Sequence, residues 1–293
     1  MTISKQHRIL IASDGSLTAQ AALATALKFP WPASARMRAI VARESWFPTV
    51  SVQTRAAVET TFEDAELAAH RALVRRWPES KVMLIDAAPV EAILAEAERF
   101  KATLIVLGWR GHGVFRRLLT GSVSRGVSAQ ALCPVLVVRE MPSAVRRFVV
   151  GFDGCPNAER ALKFLGSLEP GRGSRVVLVN VIEPVLVPAS IARFSSSMRA
   201  DVRREVAAIN AKRSQQGQAT LADGAARLAR SGWTVKCEVR AGAPLATLLK
   251  AVADHRADVL VLGARATNGL ERALLGSVAN GALNSSPVVL LVR

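Results

Sequence analysis

The chain has 293 residues, half of them hydrophobic, a length that suits about two domains. Its apolar runs, such as Thr103 to Gly108 and Val176 to Val181, are far shorter than the roughly 20 residues of a membrane-spanning helix, so no membrane partner is expected. The formal net charge of +16 and the pI near 11.2 favour anionic partners in general. The arginines, however, are spread along helix-like stretches (Arg71, Arg75, Arg76; Arg199, Arg203, Arg204; Arg227, Arg230) without an aromatic-interleaved basic strand, so specific nucleic-acid binding is not expected.

Met1 to His7 is polar and lacks the apolar stretch and small-residue cleavage site of a signal peptide, and the expected location is the cytoplasm. From there the first half alternates strand and helix. The expected strands are Arg8 to Ser13, Met37 to Arg43, Val82 to Asp86, Leu104 to Gly108 and Val135 to Val138. The helices between them are Leu17 to Phe29, Val52 to Trp77, Val90 to Phe100 and Val123 to Ala131, each with apolar residues three and four apart. The later strands are continuously apolar, as suits a parallel sheet covered on both faces, and the alternation gives an α/β, doubly wound sheet of five strands. A short polar linker, Glu140 to Arg147, separates the halves.

The second half repeats the first. Pro89 to Ser124 aligns without a gap on Pro244 to Ala279 at an offset of 155, and Arg8 to Leu27 matches Arg147 to Gly166 at an offset of 139. The difference of 16 residues falls in the polar helical stretch Ser190 to Gly232, lengthening a surface connection. The domains are therefore expected at 1–140 and 147–293. The closing strands Pro134 to Val138 and Pro287 to Val292 are apolar edges able to pair across a pseudo-twofold axis, making the chain its own dimer. A homodimer built on top of that pseudo-dimer is left open. Cys133, Cys155 and Cys237 show neither disulfide nor zinc spacing, so no metal site is expected and they read as small core residues.

The most informative stretch follows the strand ending at Gly108: Gly108, Gly111, Gly121 and Ser122 spell G-x2-G-x9-G-S, with the last pair opening a helix. Glycines let backbone approach a ligand, and amides at a helix N-terminus present unpaired donors to phosphate oxygens. Neither the P-loop nor the dinucleotide G-x-G-x-x-G is present. Asp14, in "SDGS" before a helix, reads equally as part of an N-cap. Arg110, His112, Arg116 and Arg117 lie near the phosphates in sequence, or are simply solvated. Paired carboxylates, a nucleophile elbow and a Ser-His-Asp set are all missing, so catalysis beyond a slow ATPase or self-phosphorylation using Ser122 or Ser124 is not expected.

The spaced glycines, the GS pair and the tandem repeat closely resemble the universal stress protein family over nearly the whole chain. The resemblance implies two Rossmann-like (adenine nucleotide alpha hydrolase-like) domains and ATP as ligand, with Mg2+ able to accompany it. In the first half it implies Asp14 on the adenosine side, Ala42 at the adenine, and Gly108, Gly111, Gly121, Ser122, Val123 and Ser124 around ribose and phosphates. In the second half the matching residues are Asp153, Val181, Gly263, Gly276, Ser277 and Val278. There Ala266 stands for Gly111 and Ala279 for Ser124, so weaker binding is expected. Conversely, Ala87 stands in the first half where the second has Gly242. The implied role is regulation in stress through nucleotide-dependent conformation or partner binding. The alternative is a nucleotide-independent interaction module.

Overall fold

A computed structural model describes residues 6–43, 52–110, 121–264 and 275–293. In the first half the elements are β1 (Arg8–Ser13), α1 (Leu17–Lys28), β2 (Arg36–Arg43), α2 (Val52–Val74), β3 (Lys81–Asp86), α3 (Pro89–Phe100), β4 (Leu104–Gly108), α4 (Ser122–Gln130) and β5 (Val135–Val138). The second half gives β6 (Arg147–Gly151), α5 (Pro156–Leu165), β7 (Arg175–Ile182), α6 (Ser196–Arg230), β8 (Thr234–Ala241), α7 (Pro244–Asp254), β9 (Val259–Gly263), α8 (Ser277–Ser285) and β10 (Val288–Val292). Boundaries follow local chemistry. Helix α1 stops one residue short of the expected Phe29 because Pro30 follows, and Phe29 takes an extended backbone (ψ 146°).

All ten strands form one sheet in the order β3-β2-β1-β4-β5-β10-β9-β6-β7-β8. Pairing is parallel within each half, and the halves join through β5 and β10, which run antiparallel with Val138 opposite Val288 and Val135 opposite Leu291. The expected pairing of the two closing strands is thus what builds the molecule. Because successive side chains alternate between faces, Leu136, Val138 and Leu290 enter one core with α1, α2, α5 and α6. Val135, Val137, Val289 and Leu291 enter the other, with α3, α4, α7 and α8. Each core runs through both halves.

Polar contacts lock the seam. The Arg139 guanidinium donates to the carbonyls of Asn284 (2.5 Å) and Leu283 (3.4 Å) at the end of α8. Arg293 returns the contact to the carbonyls of Ser128 (2.5 Å) and Ala129 (2.8 Å) at the end of α4. Helix C-termini carry orphan carbonyls and partial negative charge, so each half supplies the cationic cap for a helix of the other. Arg125 on α4 also donates to Asn284 Oδ1 at 2.7 Å. On the opposite face an aromatic cluster crosses the boundary. Phe29 stacks on Trp31 and meets Phe148 edge-on, and His7 packs against Trp31 and Phe164 while its Nε2–H donates to the Ser167 carbonyl at 3.1 Å.

The 16 extra residues appear where the repeat put them. Helix α6 has 35 residues against 23 in α2, and all its buried positions, Gly217, Leu221, Gly224 and Leu228, lie in its second half. Its first turns run along the surface, tied to the preceding segment by Asn210, which bonds both the N–H (2.9 Å) and the carbonyl (3.0 Å) of Val185. The cysteines depart from expectation. Cys133 and Cys155 are only half-buried and Cys237 is exposed, because β8 is an edge strand with one side open. Among the described residues no helix is long and apolar enough to cross a membrane.

Candidate functional site

Both halves build the same turn at the carboxyl end of their first strand. Asp14 Oδ1 accepts from the Ser16 N–H (3.1 Å), and Gly15 adopts φ +80°, a conformation only glycine takes without strain. In the second half Asp153 Oδ1 accepts from the Cys155 N–H (3.0 Å) across Gly154 at φ +78°. The helix cap itself falls one step later, where Ser16 Oγ accepts from the Ala19 N–H (3.2 Å) and Cys155 Sγ from the Ala158 N–H (3.5 Å). The aspartates therefore shape the loop and their successors cap the helix. Burial, and after it the Asp153 carboxylate, push the Cys155 thiol up, so it stays a neutral cap.

The first glycine of the signature is a packing device. A Cβ on Gly108 would sit 2.6 Å from the carbonyl carbon of Thr18, and one on Gly263 would sit 2.4 Å from that of Asn157. The ends of β4 and β9 are thus pressed onto the first turns of α1 and α5. The backbone after Gly108 is laced there too, as Ser16 Oγ donates to the Arg110 carbonyl (3.1 Å), Thr18 Oγ1 bonds the same oxygen, and the Arg110 N–H returns to Thr18 Oγ1 (3.2 Å).

The third glycine differs between halves. Gly121 caps α4 at φ +77°, and its Cα faces the buried ring of Trp109, two of whose atoms lie 3.2 Å from where a Cβ would be. Arg139 and Arg125 lie over that ring at 5.1 and 5.7 Å, while Trp109 Nε1 is buried without a partner among the described residues. Ser124 turns inward, its hydroxyl 3.0 Å from both the Trp109 and Gly121 carbonyls. Its proton is thereby engaged by the protein, whereas Ser122 stands exposed at the start of α4. In the second half Ala264 replaces Trp109. Gly276 has φ −57° with nothing among the described residues within 4 Å of an added Cβ, and Ala279 replaces Ser124.

A cleft of about 330 Å³ opens in the second half. Its walls include all six residues nominated there from sequence: Asp153, Val181, Gly263, Gly276, Ser277 and Val278. Sequence reasoning missed Cys155, Asn157, Leu248 and Ala279 in the same walls. Counting equivalents of Ser16, Thr18 and Ser124 through the repeat would have found three of these. In the first half the sheet register sets Asp14, Ala42 and Gly108 at adjoining strand ends, since Ser13 lies opposite Val41 and Ala12 opposite Leu107. Gly121, Ser122, Val123 and Ser124 begin the helix that follows. Gly111, His112, Arg116, Arg117 and Ala266 lie outside the described residues. In each half the arrangement offers an apolar wall, an aspartate-shaped turn and a nine-residue helix whose N-terminus opens on the same edge. Such an N-terminus favours an anion. Among the described residues no three His, Cys, Asp or Glu side chains gather as metal ligands would.

Comparison with known proteins agrees with this duplication. The family model described as Universal stress protein family matches twice, over residues 6–139 and 144–293. A universal stress protein of Mycobacterium tuberculosis is 27% identical over 313 aligned positions, covering 98% of this chain and 97% of its own. A universal stress protein of Thermus aquaticus is 37% identical over 134 residues, 45% of this chain and 97% of its own length, so it matches as a single domain. Among solved structures, a universal stress protein from Archaeoglobus fulgidus superposes with a TM-score of 0.67 at 17% identity, covering 99% of this chain and 97% of its own. The chain belongs to the universal stress protein family, as a tandem of two of its domains.

Proposed function

We propose that the protein binds an adenine nucleotide, ATP in the first instance, at the carboxyl edge of the sheet, and that occupancy regulates what the protein contacts. The observation that carries this reading is the second-half cleft, where six residues chosen from sequence for a nucleotide line one cavity. Its volume lies at the lower limit for small-molecule sites. Val181 and Leu248 supply an apolar wall on the side of β7 and α7 for the adenine, and Asp153 edges the ribose. The N-terminus of α8 at Gly276, Ser277 and Val278 faces the phosphates, and Mg2+ would come with the nucleotide to offset their charge. The first half supplies the corresponding set Asp14, Ala42, Gly108, Gly121, Ser122 and Val123, and its loop keeps Gly111 where the second half has Ala266. We therefore assign the tighter triphosphate site to residues 1–140 and the weaker one to residues 147–293. Ser124 serves this site as a positioning group, because its hydroxyl holds the Trp109 and Gly121 carbonyls. Any slow hydrolysis or self-phosphorylation would fall to Ser122. We place the protein in the cytoplasm, and since β5 and β10 occupy each other, a homodimer would have to use other surfaces.

The test is a titration of ATP into wild type, Gly111→Asp and Gly276→Asp after bound ligand has been stripped. A carboxylate at Gly276 meets open space, so it should leave the fold intact while repelling phosphate from the α8 N-terminus. Loss of the tighter site in Gly111→Asp and of the weaker one in Gly276→Asp is the expected result. Wild type that binds no nucleotide would refute the reading and leave an interaction module.

A further inference from the structure

We infer that the first half carries a second small-molecule site, on the face of the sheet opposite α3 and α4, shaped for a short-chain organic ammonium ion. A groove of about 290 Å³ lies between α1, α2 and the end of β1. Ser13 and Gly15 close one end, Gln20 and Leu23 of α1 form one wall, and Thr61, Asp64 and the alanines 65, 68 and 69 of α2 form the other.

The second half is an internal control. The repeat places Phe152 at Ser13 and Glu159 at Gln20. The close approach of Ala65 to Gly15 is matched by that of Thr220 to Gly154. In the second half the same region is filled. Phe152 is 2% exposed, with its ring against Gly224, and Arg227 bridges Glu159 (2.6 Å) and Asp223 (3.2 Å). The fold therefore does not require a void here. Ser13, Gln20 and the alanines of α2 create it by omitting the ring and the ion pairs.

Charge and hydrogen bonding select the ligand. Asp64 is the carboxylate that lines the groove, and residues 59 to 69 carry no lysine or arginine, in a chain of net charge +16. Asp64 makes no ion pair among the described residues. Gln20 donates to the Gly15 carbonyl at 2.8 Å, which leaves its amide oxygen as an acceptor at the wall. The site thus presents acceptors and negative charge at its rim, against alanine and Leu23 below. A cationic donor on a short hydrocarbon chain satisfies both, and an anion satisfies neither. This chemistry is opposite to that of the nucleotide site, and the inference does not depend on that reading.

The test uses calorimetric titration of the full chain with n-butylammonium and 1,4-diaminobutane, and with 1-butanol and butyrate as controls of equal length. The amines should bind with a dissociation constant near or below about 1 mM, weakening as salt is raised, while butyrate does not bind. Ser13→Phe restores the ring of the second half and should abolish binding. Asp64→Asn, an exposed change that leaves packing untouched, should weaken binding by about tenfold with the circular dichroism spectrum unchanged. Absence of amine binding to wild type overturns the inference, as does amine binding that both variants leave unaltered.

Discussion

The glycines of the signature differ sharply in what a methyl group would do, and the difference can be measured. Adding a methyl at Gly263 places it 2.4 Å from the Asn157 carbonyl carbon, 2.5 Å from its oxygen and 2.6 Å from the Ala158 nitrogen. Ordinary contact begins near 3.4 Å, so the end of β9 must retreat about 1 Å from α5. All three obstacles are backbone, so no rotamer change relieves them, and overpacking of this kind costs ~3 kcal/mol or more. At Gly121 the residue sits at φ +77°, where an L side chain costs ~1–2 kcal/mol, and the added carbon meets Trp109 at 3.2 Å. At Gly276, with φ −57° and open space, alanine should be neutral or stabilising by up to ~1 kcal/mol, because it restricts the unfolded chain. Urea denaturation of Gly263→Ala, Gly121→Ala and Gly276→Ala should therefore rank them in that order of damage, with the m-value unchanged. The cores shared across β5 and β10 predict one transition in wild type. If Gly276→Ala proves as destabilising as Gly263→Ala, the reasoning from close approach is wrong.

Three further outcomes follow from contacts away from the cleft. Burial holds the His7 imidazole below its usual 6.5, partly offset by the Ser167 carbonyl, so its contribution is present above pH 6.5 and lost as pH falls toward the lowered folded value. His7→Phe should flatten the stability profile below about pH 6.5, measured by urea midpoints. Burial opposes the charge on Glu238, but hydrogen bonds from Lys236, Arg240 and His255, with the Arg240 charge, outweigh it and hold the carboxyl at about 2. Its stabilisation is complete above 4.5 and lost as pH falls toward 2, so Glu238→Gln should remove that part of the acid limb. At the seam, Arg125→Ala and Asn284→Ala should couple by ~0.5–1.5 kcal/mol in a double-mutant cycle, and additive effects would show the 2.7 Å contact contributes nothing.

Much of this architecture could be read before the structure because its signals are local or repeated. The strand β1 was legible to the residue, as were β4 and β5, since short apolar runs flanked by Gly, Pro and polar residues leave little freedom. The pairing of β5 with β10 was legible because two apolar edges had no other partner in the repeat. What stayed hidden depends on three-dimensional neighbours. Nothing in "GSVS" says that Ser124 points inward to the Trp109 carbonyl, because its partner stands fifteen positions earlier in the chain. Nor does "SDG" against "FDG" announce a groove in one half and a packed ring in the other. That contrast requires knowing that α2 brings alanines, and α6 Thr220 and Gly224, to the same spot.

The two halves have diverged in opposite directions on opposite faces of one sheet. On the α7 and α8 face the second half replaces Trp109 by Ala264 and Ser124 by Ala279, and there the cleft is open. On the α1 and α2 face the first half replaces Phe152 by Ser13 and Thr220 by Ala65, and there the groove is open. Both sets of differences surround strand ends that keep the same Asp-Gly turn and the same glycine pressed on the next helix. The caps from Arg139 and Arg293 tie α8 and α4 each to the opposite half. Each cap grips the C-terminus of a nine-residue helix whose N-terminus opens on a candidate phosphate position. A shift of either helix on ligand binding must therefore be felt at a carbonyl bonded by the opposite half.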